Sequence, residues 1–285
     1  MIIFDENQIS MNDIIHYFES IPSLHRALIL AGGIAIFWLI ESAVPFFKFQ
    51  YNKWQHAGIN IFFTITTIIV NFALAFILLR TADYATINEF GILNWLPKIN
   101  PIAFTVVGIL LLDFIGAYLA HFTEHKVKLL WRFHLIHHSD TYIDTTSGNR
   151  HHPGESVIRF VFTTLGVLIV GCPMWMVFMY QTLSVVATQF THANICLPKK
   201  LDKVMSYLLV SPDMHKIHHH YKLPYTDSNY GNIFSIWDRI FGTFSYMERE
   251  TIIYGVDTHM DPNENNKLVS LLKIPFQKTR SPQKE

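Results

Sequence analysis

Hydrophobic positions along this chain do not alternate with polar ones; they gather into long runs separated by polar, aromatic-rich segments. A helix needs about 20 mainly apolar residues to cross a bilayer, and three runs qualify: 27–47, 58–79 and 102–120. A fourth stretch, 157–190, is too long for one crossing and is broken by Gly171, Cys172 and Pro173. Proline ends or kinks a helix, so this stretch predicts a tight helical hairpin. Each arm would have about 14–17 residues, or roughly 21–26 Å at 1.5 Å per residue. Between and after the runs lie two polar segments, 121–156 and 191–246, and a polar tail whose apolar portion, 268–276, predicts a short interfacial helix.

Composition agrees with the membrane class. Of the 285 residues, 50% are hydrophobic and 15% charged, whereas a soluble domain carries about 25% charged residues. Formal net charge is zero, and no basic arm or patch of the kind that recruits nucleic acid is present. Two cysteines, Cys172 and Cys196, make no disulfide framework. The first 26 residues are acidic and lack a basic region before an apolar core, so no cleavable signal peptide is expected. Loops rich in Lys and Arg stay cytoplasmic. Lys48 and Lys53 follow the first run, and Lys126, Lys128, Arg132 and Arg150 follow the third; only Arg80 and Lys98 lie between the second and third. The amino terminus is therefore expected outside and His121 onward in the cytoplasm, with the hairpin returning the chain to the same face.

Sixteen histidines then decide the chemistry. Three clusters stand out: His121-Phe-Thr-Glu-His125, His134-Leu-Ile-His137-His138 and His215-Lys-Ile-His218-His219. Residues three or four apart on a helix share a face and can grip one ion. His152 and His192 are additional candidates, giving up to ten ligands, which suits two ions better than one. Imidazole suits Zn, Cu, Fe and Ni, and scarce cysteine argues against sulfur-rich sites. The carboxylate pattern of soluble di-iron bundles is not present, nor is the zinc-protease order, because Glu124 precedes His125 instead of following His121. His16, His25, His56 and His259, and the neighbours His151 and His220, read as ordinary interfacial or hydrogen-bonding histidines.

These clusters carry a family resemblance. The run from Leu111 and Asp113 through His121, His125, Trp131, His134, His137, His138 and Asp140 resembles the first two boxes of the fatty acid hydroxylase and sterol desaturase superfamily. Phe190-Thr-His192-Ala-Asn194 and Pro212-Asp-Met-His215-Lys-Ile-His218-His219 resemble its later boxes, and Thr226 to Gly231 with Ile236 to Thr243 the segment beyond. The compact form, without a fused cytochrome b5 domain, is similar to bacterial members. The resemblance implies an all-α, multi-pass integral membrane bundle of three spans plus a helical hairpin, with a cytoplasmic histidine-rich di-metal cap in a bacterial inner membrane. One domain would cover 1–285: spans in 26–120, the catalytic region in 121–246 with hairpin 157–190, and the tail in 247–285. It implies His121, His125, His134, His137, His138, His152, His192, His215, His218 and His219 as ligands of two iron ions. At His152 the sequence departs from the family's pattern: Gly154 stands where a bulkier residue is usual, and His151 adds an imidazole. Asp113, ionisable within a span, is a candidate for the substrate channel or a helix-to-helix hydrogen bond; Asn194 and Asp238 are candidates for fixing imidazole tautomers.

The implied activity is O2-dependent hydroxylation of a lipid C–H bond, with desaturation as the alternative. A histidine-ligated metal transporter or a zinc hydrolase are readings from other classes; a transporter would place its ligands near the bilayer midplane. Electrons must come from outside, through a ferredoxin or cytochrome b5 carrier and its reductase. The chain has no dinucleotide-binding glycine fingerprint, no cysteine cluster for an iron–sulfur centre and no haem domain.

Overall fold

The computed structural model describes residues 10–282, and among them the regular elements are all helical. In chain order the helices are α1 Met11–Glu19, α2 Ser23–Ala43, α3 Lys53–Ile87, α4 Ile92–Trp95, α5 Pro101–Asp113, α6 Ala120–Lys126 and α7 Lys128–His138. They continue with α8 Pro153–Val170, α9 Met174–His192, α10 Lys199–Met205, α11 Pro212–His218, α12 Ile236–Ile240, α13 Pro262–Asn265 and α14 Leu268–Lys273. A π-helical segment, Phe114–Leu119, joins α5 to α6, so the third span runs unbroken from Pro101 to Lys126.

Four helical stretches are long and apolar enough to cross a membrane: Ser23–Ala43, Lys53–Trp95, Pro101–Lys126 and Pro153–Val170. The chain is thus a multi-pass membrane protein. On α3 the side chains of Ile65, Ile68, Ile69, Phe72 and Phe76 point outward, Phe72 with 84% of its surface exposed; on a helix long and apolar enough to cross a membrane, such a face is suited to lipid. The inner faces meet in one apolar core, where Leu78, Ile109, Leu112, Phe160, Val167, Met176 and Val177 interlock.

Local chemistry sets the helix ends. Asn52 accepts from the Gln55 N–H at the start of α3, and Asn100, followed by Pro101, caps α5. The expected hairpin is present, with arms of 18 and 19 residues. Gly171 closes α8 in the left-handed region (φ 80°), and Pro173 precedes the first turn of α9. A Cβ at Gly171 would stand 2.4 Å from the Phe90 carbonyl oxygen, so the turn needs glycine for space as well as for φ. The second arm, α9, carries Gln181, Gln189, Thr191 and His192 and is the more polar.

Two features depart from the expected pattern. The acidic amino-terminal stretch forms α1, closed by a reciprocal Ser10–Asp13 capping box. The tail helix does not simply lie at an interface: Leu271 and Ile274 are buried against Phe63, Leu135 and Ile136, which fastens the tail to α3 and α7.

Candidate metal centre

Nine of the ten expected imidazoles converge at one end of the helical bundle. His121 and His125 lie one turn apart on α6, His134, His137 and His138 on α7, His192 at the end of α9, His215 and His218 on α11, and His219 just after it. They divide into two sets. His121, His125, His134, His138 and His218 form one and His137, His192, His215 and His219 the other, with ligand atoms in each set within 4.8 Å of one another. Each i, i+3, i+4 box is therefore split. On α7 the i, i+4 pair joins the five-imidazole set and the i+3 residue crosses to the four; on α11 the assignment is reversed. Helical geometry explains the division, since i+3 and i+4 fall on opposite sides of i, about 60° and 40° away.

The nitrogens fit a cation. Nε2 of His121 is 3.1 Å from Nε2 of His134, which is 3.1 Å from Nε2 of His138. In the other set Nε2 of His192 lies 3.2 Å from His137 and 3.0 Å from His215, and His215 lies 3.2 Å from His219. Two nitrogens each about 2.1 Å from one ion, at a right angle, stand about 3.0 Å apart. Tautomers sharpen the point. His121 Nδ1 faces the Tyr230 carbonyl at 2.9 Å and His134 Nδ1 faces Glu155 Oε1 at 2.7 Å, and both partners only accept. Each Nδ1 therefore carries the proton and each Nε2 a lone pair. Two lone pairs facing across 3.1 Å repel unless a cation lies between them. Nε2 of His125 and of His218 is buried and makes no hydrogen bond, as expected of atoms reserved for an ion.

Outer contacts differ between the sets. In the five-imidazole set, His125 Nδ1 reaches Asp227 at 3.2 Å and His218 Nδ1 donates to the Ser228 carbonyl at 2.6 Å, so four of the five rings are held from behind. Of the other set only His192 is held, by the Thr188 carbonyl at 2.8 Å; Nδ1 of His137, His215 and His219 has no partner. Arg159 braces the five-imidazole side, with Nη2 2.8 Å from Glu124 and Nε 3.0 Å from Glu155. Burial first, then repulsion from neighbouring imidazoles, holds His134, His137, His138, His215, His218 and His219 well below their ordinary 6.5. They are neutral, and ready to bind a metal, at neutral pH.

Four expected site residues lie elsewhere. His152 joins neither set: it caps α8, its Nδ1 accepting from the Gly154 N–H at 3.0 Å, and its ring packs on Phe133 and Phe276. Asn194 touches no imidazole; it pairs with the Phe47 backbone and so ties the end of α9 to the segment after α2. Asp238 acts at one remove, accepting from the Tyr230 and Gly231 N–H groups and thus shaping the turn whose carbonyl receives His121. Asp113 takes the role of helix anchor, accepting from the Ile233 and Phe234 N–H groups and the Trp237 indole.

Sequence reasoning missed a buried network beside the boxes. His56 takes the hydrogen-bonding of its two expected roles, but in a buried pair of contacts: it bridges Asp140, 2.9 Å from Nε2, and Asp144, 3.2 Å from Nδ1. Arg150, with none of its surface exposed, donates to the Ile136 carbonyl, Asn60 Oδ1 and the Asn265 carbonyl. Buried Glu41 accepts from the Thr145 and Asn194 N–H groups and pairs with Lys53 at 2.9 Å. These partners are far apart in the chain, and no local spacing announces them.

A cavity of about 40 Å³ opens next to the two sets and is walled by His121, His137, His192 and His215, with Gly148 and Ala117 among its other neighbours. A Cβ at Gly148 would stand 2.7 Å from Thr188 Cγ2, so glycine keeps this wall open.

Comparison with known proteins agrees with this arrangement. Residues 105–243 match the family model described as fatty acid hydroxylase. Over 146 residues the chain is 30% identical to an ornithine lipid hydroxylase of Rhizobium tropici, covering 50% of this chain and 43% of that protein. It is 30% identical over 145 residues to an alkylglycerol monooxygenase of Danio rerio, 50% of this chain and 31% of that one. A cholesterol 25-hydroxylase-like protein of the same fish is 28% identical over 140 residues, 48% and 49% of the two chains. The chain spans less than half the length of each of these relatives. No solved structure matches it. The matched segment runs from within the third span past the last box and holds all nine converging imidazoles, and by that segment the chain belongs to the fatty acid hydroxylase and sterol desaturase superfamily.

Proposed function

We propose that this chain is a membrane monooxygenase that hydroxylates a lipid C–H bond with two iron ions, one in each imidazole set. The reading rests on one observation above all: two sets of converging nitrogens lie side by side, next to a small cavity walled by His121 of one set and by His137, His192 and His215 of the other. The metals supply reductive activation of O2, in which one oxygen atom enters the C–H bond and the other leaves as water, with two electrons and two protons taken up. The chain's own residues hold the rings in one tautomer, keep water out and seat the lipid. The electrons come from a separate ferredoxin or cytochrome b5 carrier with its reductase. The basic loops after the first and third spans favour a cytoplasmic position for the site. The relatives named as hydroxylating ornithine lipid and oxidising alkylglycerol favour a lipid substrate.

Anaerobic metal analysis of the purified protein, followed by turnover under ¹⁸O2 with a lipid extract and a reductase–carrier pair, tests the reading. Two irons per chain and one labelled oxygen in a lipid product are expected. An alkene without labelled oxygen would make the enzyme a desaturase. Stoichiometric zinc in protein made with ample iron, with turnover indifferent to iron, would sink it in favour of a hydrolase.

A further inference from the structure

We infer that residues 207–210 and 230–244 together form a re-entrant element, sunk into the membrane leaflet on the imidazole side with its outer surface against lipid acyl chains. Composition hid this, because both stretches lie in the polar segment 191–246 that follows the last apolar run. The inference uses only the spans, and it holds whichever reaction the imidazoles serve.

Depth is set by what the element touches. Asp113 lies eight residues, about 12 Å, before His121 and near the middle of the third span, Pro101–Lys126. Its carboxylate accepts from the Ile233 and Phe234 N–H groups and from the Trp237 indole. Ser184 lies eight residues before His192 on α9, and Asn232 donates to it at 2.7 Å. Ile233 belongs to the apolar core of the spans, with Leu78, Leu112 and Val177. Phe241 stacks on Phe114 at 5.4 Å and on Tyr118 at 5.5 Å, both in the π-helical part of the third span. The chain therefore descends from Tyr230, whose carbonyl meets His121, and climbs back through α12. The apolar run of this span ends at Ala120, and half the hydrocarbon layer is about 15 Å. The lowest point of the element is thus close to the bilayer middle.

Non-helical backbone at that depth is tolerated only where protein meets its polar groups. Asp113 takes two donors; the Val210 N–H reaches the Ile233 carbonyl at 2.9 Å and the Ser235 N–H the Leu208 carbonyl at 3.1 Å, which holds 207–210 at the same level. What the element turns away from the protein is apolar: Tyr207, Leu208, Ile240 and Phe241 are each 53–60% exposed. The cation on α12, Arg239, is covered, its guanidinium 4.0 Å from the Phe244 ring centre and bonded to the Ser206 carbonyl. Lys200 and Lys203 are exposed on α10, which leads into the element, and suit the level of the phosphates. An apolar face of this kind, continuous through Phe114 with the surface of a span, fits acyl chains. The same loop brings Tyr230 and Asn232 to the cavity beside the imidazoles, so part of that wall is set from within the leaflet.

The test uses the full chain in phosphatidylcholine nanodiscs with two photoreactive phosphatidylcholines, the diazirine placed either at the end of an acyl chain or in the head group. Trypsin releases Tyr207 and Leu208 in peptide 204–216 and Ile240 and Phe241 in peptide 240–249; peptide 250–267, which exposes Ile253, is the control. The chain-end probe should label both test peptides more strongly than the head-group probe does, on those four side chains, and should miss the control. Labelling chiefly by the head-group probe would lay the element on the membrane surface and overturn the inference. Labelling by neither probe would overturn it too, and a cross-linked dimer in the same nanodiscs would then identify a second copy of the chain as what covers this face.

Discussion

At the scale of single residues, the nine converging imidazoles lean on groups that belong to neither set. Glu155 is fully buried, holds His134 at 2.7 Å and is itself held by Arg159. Replacing such an outer partner usually costs about 10–100-fold in metal affinity. Glu155→Gln is therefore expected to lose metal from the five-imidazole set and keep it in the other, so that metal per chain after gel filtration without chelator falls by half. His152→Ala should do the opposite, leaving metal content intact and costing about 1 kcal/mol of stability through the lost cap of α8. Both can be read from metal analysis and thermal melts of the same preparations. The nine converging histidines were legible because helical spacing is a local signal. His152 had no such spacing behind it; it stood as an additional candidate matched to a family position, and the structure gives it to the cap of α8. Asn194, Asp238 and the His56–Asp140–Asp144 bridge depend on partners in other segments, and a single sequence does not record which segments meet.

At the scale of elements, the apolar runs located the spans and the hairpin, though not their ends. The runs marked only where helices are apolar, so they undercounted α3, whose 35 residues extend to either side of the expected 58–79. Its first turns are polar and buried through His56 and Asn60, because there the neighbours are other polar segments instead of lipid. The π-helical segment between Asp113 and Ala120 was invisible to periodicity. It shifts the facing of α6 relative to α5 and sits immediately before His121, a placement typical of such segments beside functional sites. The hairpin turn gives a direct check. Gly171→Ala forces a side chain into the left-handed region and onto the Phe90 carbonyl, so it should destabilise by more than about 1 kcal/mol, visible as a lower melting temperature in detergent.

At the scale of the whole molecule, the shared face of the histidine segments is the feature on which the oxygenase proposal depends. Cys172 is buried at the hairpin turn, while Cys196 is exposed just past His192 at the other end of α9. An impermeant thiol reagent applied to oriented vesicles should therefore modify Cys196 from the cytoplasmic side alone. Modification of Cys196 from outside would invert the proposed topology. The tail adds a long-range constraint, since α14 is packed on α7 and the Asn265 carbonyl receives Arg150. Nothing in the tail's own pattern revealed this, because the apolar stretch 268–276 reads equally well as a helix lying on a membrane.

The unequal backing of the two imidazole sets has a consequence for how the protein is filled. Four rings in one set are locked in orientation before any ion arrives, but only one in the other is. The less constrained set must surrender more side-chain freedom on coordination, and on the proposed reading it is expected to bind its ion more weakly for that reason. Titrating the apoprotein with ferrous iron should give two phases, the first complete at one equivalent, and a chelator should remove the ions in reverse order. Any preparation short of iron is then a population in which most molecules are half-filled and inert, and its specific activity should rise steeply, not linearly, as the second equivalent is supplied.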